Sequence, residues 1–147
     1  TLLTEAENRR TTCMVILAGY EEPMRALLDS DPGLRRRFPN MLNLRDYTPT
    51  ELGEIAEVTA RERFGVSLGD GVRDAVVNLI ETTHADSIRK HNASLSIRMV
   101  EGALTALADR VMAEAEDSID DDEQLSEKQL STLEFADFMT SQFSSDL

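Results

Sequence analysis

The chain has 147 residues, of which 41% are hydrophobic and 5% aromatic, enough for one domain or for a small domain with part of another. Its formal charge of −13 disfavours a nucleic-acid partner, because phosphate contacts need clustered lysine and arginine. No apolar run approaches the roughly 20 residues that cross a bilayer, and the single cysteine excludes an internal disulfide and favours an intracellular, cytoplasmic setting.

The start of the sequence combines a helical pattern with a strand pattern. Residues 1–10 are typical of the end of a helix, and residues 11–18 form an apolar stretch that begins with threonines. A continuous rather than alternating run favours a strand covered on both faces, as in a parallel sheet between helices. We expect Cys13 to be a small buried apolar residue within it. Because there is no initiator methionine and no signal segment, we expect the sequence to be part of a longer chain.

A short helix, a stop signal and a second strand follow. The apolar spacing predicts a helix over 21–30, and the Asp-Pro-Gly at 31–33 is a strong signal that ends it. A run of arginines follows at 35–37, and residues 41–44 predict a second short strand. The chain up to Tyr47 therefore has an α/β pattern.

From Thr48 onward the pattern is helical. Thr48 is a good N-cap, Pro49 suits the first helical position, and Glu51 completes a capping box. An apolar stripe at helical spacing follows, and Gly65 ends the helix. The sequence therefore predicts a helix between Thr48 and Gly65.

Further helices and a tail complete the pattern. Apolar spacing predicts helices over about residues 70–83 and 94–115, with a polar connection over 86–92 between them. The acidic stretch after residue 115 predicts a solvated loop, and a last short helix is predicted over 133–143. We divide the chain into an α/β part, a helical lid, and an acidic linker with a short C-terminal helix, at residues 1–47, 48–115 and 116–147.

Four phrases in the first two-fifths of the chain are specific to one group of proteins. In order, they are "LLTEAENRR", "VILAGY", "DPGLRRRF" and "LRDYTPTEL". They resemble "LLxxMExxR", "VVIxAGY", "NPGLxSRF" and "FPDYSxxEL" of one AAA+ ATPase subgroup. That subgroup comprises the red-type rubisco activases, the sporulation stage V protein K family and the ATPases of type VII secretion.

The resemblance implies an α/β fold: the C-terminal part of an AAA+ P-loop nucleotide-binding domain, with two parallel strands and their helices, followed by an all-α lid bundle. In that family the phosphate loop and the acidic metal-binding strand precede the first phrase, and neither G-x-x-x-x-G-K-[ST] nor such a strand occurs in this sequence. We therefore expect ATP and Mg²⁺ to be bound mainly by other residues of a parent protein, and this fragment alone to be inactive.

The resemblance also implies partners and a mode of action. The parent would be a ring, a homo-hexamer of neighbouring AAA+ subunits, that hydrolyses ATP to remodel or thread a protein substrate. No nucleic acid and no membrane would be involved. The alternative is a degenerate, non-hydrolysing AAA+ module that serves as a scaffold or protein-interaction domain. A free-standing helical interaction module with an acidic tail is a further alternative, which leaves the buried strand and "DPGLRRRF" unexplained.

Arg37 is the first candidate for a catalytic role. It occupies the place of the arginine that precedes the aromatic residue in "NPGLxSRF", and the resemblance implies an arginine finger that stabilises γ-phosphate charge in the next subunit. We expect the Asp-Pro-Gly at 31–33 to fix the loop that presents it. Arg36 stands where the family has serine and is the second candidate. The alternative is a solvated basic run on a turn.

Two further residues are candidates for contact with the nucleotide. Tyr20 lies where many AAA+ proteins place a polar sensor at a strand end, and its alternative role is packing at that strand end. Arg98 matches the later arginine of the lid motif "GNARxVRN" only with an inserted residue, since Ser94 stands at the first arginine. Its alternative role is a helix-surface ion pair with Glu101 or another acid. His84 and His91 lack metal-ligand spacing, and no metal site is predicted.

Overall fold

A computed structural model describes residues 4–5, 8–9, 11–117 and 126–140. The chain divides into two compact units, Thr1–Arg45 and Asp46–Leu147. Of the helix predicted over residues 1–10, Thr4, Glu5 and Asn8 are helical, and most of the remainder lies outside the described residues.

Two short helices organise the first unit. Helix α1 spans Glu21–Asp29, as predicted, and helix α2 spans Pro32–Arg37. The two helices contact each other, and each buries one leucine, Leu28 in α1 and Leu34 in α2. Helix α2 was not predicted, because the Asp-Pro-Gly signal was interpreted only as a stop.

The two strands predicted for this unit are wrong. Residues 11–18 and 41–44 have no strand structure, and Cys13, expected to be buried, is exposed. Four apolar side chains of these segments are at least 79% exposed: Met14, Ile16, Leu42 and Leu44. A strand satisfies its backbone N–H and C=O groups on a neighbouring strand. The described residues of this unit contain no strand that could form these hydrogen bonds with residues 11–18 or 41–44.

Helix α3, Pro49–Phe64, confirms the prediction made from its capping signals. The Thr48 Oγ1 accepts from the backbone N–H of Glu51 at 3.2 Å, and Glu51 Oε2 accepts from the N–H of Thr48 at 2.9 Å. Gly65 ends the helix with φ of 68°, a left-handed conformation that glycine adopts without steric cost.

The remaining elements of the second unit are helices joined by a minimal sheet. The helices are α4 (Val72–Thr83), α5 (Ala85–His91), α6 (Ala93–Asp117), α7 (Glu127–Ser131) and α8 (Phe135–Thr140). Strands β1 (Ser67–Leu68) and β2 (Thr132–Leu133) pair in parallel, with Ser67 opposite Thr132 and Leu68 opposite Leu133. The predicted acidic loop lies mostly outside the described residues, at 118–125.

Helix α5 corrects the polar connection predicted over residues 86–92. Asp86 lies in its first turn and the basic residues 89–91 in its last turn, where each complements the helix dipole. Ile88 is partly buried against the core of the unit. The segment is therefore helical despite its polar composition, because its charges complement the helix dipole and Ile88 contacts the core.

A single apolar core holds the second unit together. The buried core residues are Leu52, Ala56, Ala60, Val72, Val76, Ile80, Leu95, Met99, Val100, Ala103, Leu107, Leu133 and Phe138. The last two follow the acidic stretch and are at most 1% exposed. The C-terminal segment therefore packs as part of this unit.

Helices α3 and α4 meet closely at Gly53. A Cβ atom at Gly53 would lie 2.5 Å from Cγ2 of Val77 and 3.6 Å from Cγ of Arg73. Glycine is unfavourable inside a helix by about 1 kcal/mol relative to alanine. The approach of α4 explains why this position needs a residue without a side chain.

We predict that Gly53→Ala lowers the free energy of unfolding by about 1–3 kcal/mol, because the stiff β-branched Val77 cannot move away cheaply. Urea unfolding followed by circular dichroism measures this change. The cost of Gly53→Ala should be smaller when it is measured in a Val77→Ala protein, with Val77→Ala alone as the reference. A more stable Gly53→Ala protein would show that helix propensity outweighs the contact.

A buried ion pair fastens the C-terminal segment to α6. Arg110 donates from Nε to Asp137 Oδ1 at 3.1 Å and from Nη2 to Asp137 Oδ2 at 3.0 Å. Arg110 Nη2 also donates to the carbonyl of Thr132 at 3.2 Å, and Asp137 Oδ2 accepts from the N–H of Glu134 at 2.8 Å. The Asp137 side chain is 2% exposed. The hydrogen bond with Asp137 raises the pKa of Arg110 above the ordinary value of an arginine side chain.

We predict that Arg110→Met costs about 3 kcal/mol of unfolding free energy, because the Asp137 carboxylate then stays buried without its countercharge. The double variant Arg110→Met with Asp137→Asn should be less destabilised. It buries no charge, and the new amide oxygen still accepts from Glu134. Chemical unfolding compares the two proteins. Equal losses would mean that packing of the arginine stem, not the unpaired charge, sets the cost.

Candidate functional site

The Asp-Pro-Gly segment begins the helix that carries the candidate arginines. Asp31 is extended, with φ of −146° and ψ of 118°, and its Oδ1 accepts from the N–H of Gly33 at 2.6 Å. Pro32 occupies the first helical turn, where a backbone N–H would have no partner within the helix, so the lack of this donor costs no hydrogen bond. The predicted presenting loop is therefore a capped helix.

The three arginines at the end of α2 have different surroundings. Arg35 Nη2 lies 2.6 Å from Asp29 Oδ1, and Arg37 Nη1 donates to the carbonyl of Gly33 at 3.3 Å. Within the described part of the chain, no hydrogen bond or ion pair engages the exposed Arg36. Successive helical side chains point about 100° apart, so the three guanidinium groups cannot all face one ligand.

Tyr20 lies at the N-cap of α1 and not at a strand end. Its side chain is 86% exposed, and its carbonyl accepts from the N–H of Met24 at 2.9 Å. Since residues 11–18 form no strand in the described structure, Tyr20 does not pack at a strand end. Tyr20, Arg36 and Arg37 belong to the first unit, and Arg98 belongs to the second.

Arg98 is half-buried on the second turn of α6, and its Nε atom is buried without a hydrogen-bond partner. Glu101, its expected partner, lies instead 3.3 Å from Nη1 of Arg63. Among the described residues, no carboxylate pairs with Arg98. A buried N–H donor without a partner is uncommon in folded proteins, and Arg98 therefore retains unused hydrogen-bonding capacity.

The potential metal-ligating side chains of the described residues are dispersed. It contains no group of three histidine, cysteine, aspartate or glutamate residues that could hold a metal ion. No helix among the described residues is long and apolar enough to cross a membrane. His84 is half-buried, and this burial lowers its pKa below the ordinary value of a histidine. It does not contribute to the candidate site.

Two polar residues with structural importance had no predicted role. Arg110 is a charged residue on the apolar face of α6, three positions after Leu107, and that placement was the available signal for a buried partner. Asn92 follows a helix that ends in basic residues, where asparagine often terminates a helix. The partners of both residues are remote in sequence.

Comparison with known proteins places the second unit in a family, since residues 48–146 match the AAA lid domain. This chain belongs to the AAA+ ATPase family. The chain is 32% identical to the ESX-3 secretion system protein EccA3 of Mycolicibacterium smegmatis over 146 residues. This alignment covers 96% of this chain and 24% of that protein.

Shorter matches agree with this assignment. A CfxQ homolog of Trieres chinensis is 44% identical over 62 residues, which cover 42% of this AAA+ chain and 21% of the relative. The ESX-1 secretion system protein EccA1 of Mycobacterium leprae is 44% identical over 62 residues, or 42% of this chain and 11% of that protein. The chain thus spans about a quarter or less of these relatives.

These matches confirm the family and the subgroup predicted from the four phrases. They also confirm the fold class, the C-terminal portion of an AAA+ protein with a helical lid. The correction concerns the sheet. The parallel pair that is present, β1 with β2, lies within the lid match and not at the predicted strands.

Proposed function

We propose that this chain supplies the arginine finger and the lid of a cytoplasmic, ATP-hydrolysing AAA+ ring protein that remodels or threads protein substrates. Neighbouring subunits, six in a closed ring, would each receive the finger of the next. The observation that carries the proposal is the capped helix α2, which ends in consecutive arginines in a chain with an AAA lid. Two relatives are named as secretion system proteins, which favours a protein substrate.

The arginine helix supports transition-state stabilisation in a neighbouring subunit. Phosphoryl transfer spreads negative charge over the γ-phosphate oxygens, and a guanidinium group offers a planar set of donors to them. Arg35 forms an ion pair with Asp29, and the candidates are Arg36 and Arg37. Arg37 is preferred, because it directly precedes the aromatic Phe38, as the arginine does in the phrase of the family.

Arg98 supports a nucleotide contact from the lid. The half-buried Arg98 has an unpartnered Nε, and a change of its side-chain rotamer that exposes this donor would let the guanidinium group bind a phosphate oxygen of ATP. No metal-binding cluster among the described residues fits Mg²⁺. Bound ATP would supply the phosphoryl group, while Arg98 would hold and orient it from the lid. Tyr20 remains a weaker candidate, since it is exposed at the start of α1.

The domain limits belong to the same proposal. We assign residues up to Tyr47 to the α/β nucleotide-binding part and place the start of the lid at Thr48. The sequence pattern predicts a lid over residues 48–115 and a linker with a short helix over 116–147. The burial of Leu133 and Phe138 in the lid core supports a lid that includes the C-terminal helix.

We predict that Arg37→Ala, made in the full-length protein that contains this chain, leaves ATP binding intact and lowers ATP turnover by about a thousandfold. Steady-state phosphate release measures turnover, and a fluorescent nucleotide measures binding. Arg36→Ala tests the second candidate under the same conditions. Arg35→Ala is the matched control, since its guanidinium is engaged by Asp29 and should not reach the neighbouring subunit.

The pattern of losses assigns the finger. A large loss with Arg36→Ala and none with Arg37→Ala would move the role by one residue. Equal, small losses in all three variants would show that the run is surface charge. Absence of turnover in the wild-type ring would instead support the non-hydrolysing scaffold.

We predict a different signature for Arg98→Ala, namely an increase of about tenfold in the Kd for ATP, because a charge-assisted hydrogen bond to phosphate is lost. Nucleotide titration of the full-length protein measures it. Arg89→Ala, an exposed arginine of α5, provides the control. An unchanged Kd for Arg98→Ala would exclude contact with the phosphates.

A further inference from the structure

Asn92 joins α5 to α6 in an unusual backbone conformation. Its φ is 44° and its ψ is −130°. Among the described residues other than glycine, Asn92 alone has a positive φ. Its N–H donates to the carbonyl of Ile88 at 2.7 Å, and its carbonyl accepts from the N–H of Leu95 at 3.0 Å. Asn92 therefore ends one helix and begins the next. A side chain at this φ is strained unless other contacts hold it.

The side chain of Asn92 makes contacts that can hold it. Its Oδ1 accepts from the backbone N–H of Tyr47 at 2.9 Å, and its Nδ2 donates to Oδ1 of Asp46 at 2.9 Å. The orientation of the amide is fixed by chemistry, since a backbone N–H only donates and a carboxylate only accepts. One side chain thus binds two consecutive residues that lie 45 and 46 positions earlier.

The bound residues begin the lead-in segment of the lid, which we define as residues 46–48. Thr48 is fixed in turn by Glu51, whose carboxylate accepts from both the N–H and the hydroxyl of Thr48. Upstream the chain is different. Between described residues, no backbone–backbone hydrogen bond involves residues 39–44. The boundary between the two compact units falls after Arg45.

We propose that Asn92 is a latch that fastens the lead-in segment to the lid, so that the pivot between the lid and the preceding part of the chain lies upstream of Asp46. Asn92 is then a positioning residue, which sets the direction in which the chain enters the lid. The role in ATP turnover rests on the proposed function, whereas the latch itself does not.

Exchange of the Tyr47 amide hydrogen tests the latch directly. Asn92→Gly removes both side-chain bonds, and glycine adopts the same φ without strain, so the fold should persist. In the full-length protein, we expect the Tyr47 amide to exchange on the order of tenfold faster, as measured by mass spectrometry with single-amide resolution. The amides of α3 and α6 should be unchanged. Unchanged protection of Tyr47 would overturn the latch.

Ser94→Ala is the matched control for this experiment. Ser94 Oγ donates to the carbonyl of His91 at 2.6 Å, at the same helix junction but without a bond to the lead-in segment. We expect the Tyr47 amide to exchange at the wild-type rate in this variant. Equal acceleration by Ser94→Ala and Asn92→Gly would show a general loosening of the junction and would overturn the specific role of Asn92.

An exchange of the two polar partners provides a rescue. Asn92→Asp places two carboxylates together and should open the latch, and adding Asp46→Asn restores a donor and acceptor pair in the opposite sense. Protection of the Tyr47 amide should return in the double variant, with Asp46→Asn alone as reference. A purely steric role for residue 92 would give no rescue.

ATP turnover by the same variants separates the latch from the proposed function. If the latch positions the lid, turnover should fall several-fold in Asn92→Gly and recover in the swapped double variant, with ATP binding retained. Faster Tyr47 exchange with normal turnover would overturn the positioning role. A wild-type protein without turnover would refute the ATPase proposal, and the amide measurement would still decide whether Asn92 is a latch.

Discussion

The second unit depends on the packing of α6 across the other elements of the lid. This 25-residue helix contacts α3, α5, α7, α8 and β2. At its contact with α3, the fully buried hydroxyl of Ser96 donates to the carbonyl of Leu52 at 2.8 Å. A buried hydroxyl is costly unless it is hydrogen-bonded, so this bond specifies how the apolar surfaces around it meet. Helix α4 packs in turn on α3 and α8, so the lid is assembled around the α3–α6 contact.

The same helix connects the two ends of the unit. The Asn92 junction at its start holds the lead-in segment, and Arg110 near its other end holds Asp137 of the C-terminal segment. Arg98 lies between these two anchors with its unpartnered Nε. A contact between Arg98 and a phosphate would therefore act on an element that is fixed to both the beginning and the end of the lid.

The arginine helix is built differently. In the described residues of the first unit, Leu28 and Leu34 are the buried apolar side chains, whereas Met14, Ile16, Leu42 and Leu44 are strongly exposed. Little apolar burial provides little free energy for ordering a segment. The local bonds of Asp31 fix the start of α2, but they do not by themselves orient its arginines toward a ligand. We expect that orientation to be set by contacts with a neighbouring subunit.

The sequence by itself determined the family, the limits of α3 and the positions of α1, α4 and α6. Capping boxes, apolar stripes and glycine stops act between residues three or four positions apart, so they can be recognised without the fold. The run of arginines was found in the same way, from a phrase. Only the tertiary structure decided that residues 11–18 and 41–44 are not strands, that Ser67 pairs with Thr132, and that Arg110 meets Asp137. Each of those outcomes depends on a partner remote in sequence, and an isolated pattern contains no information about whether that partner is there.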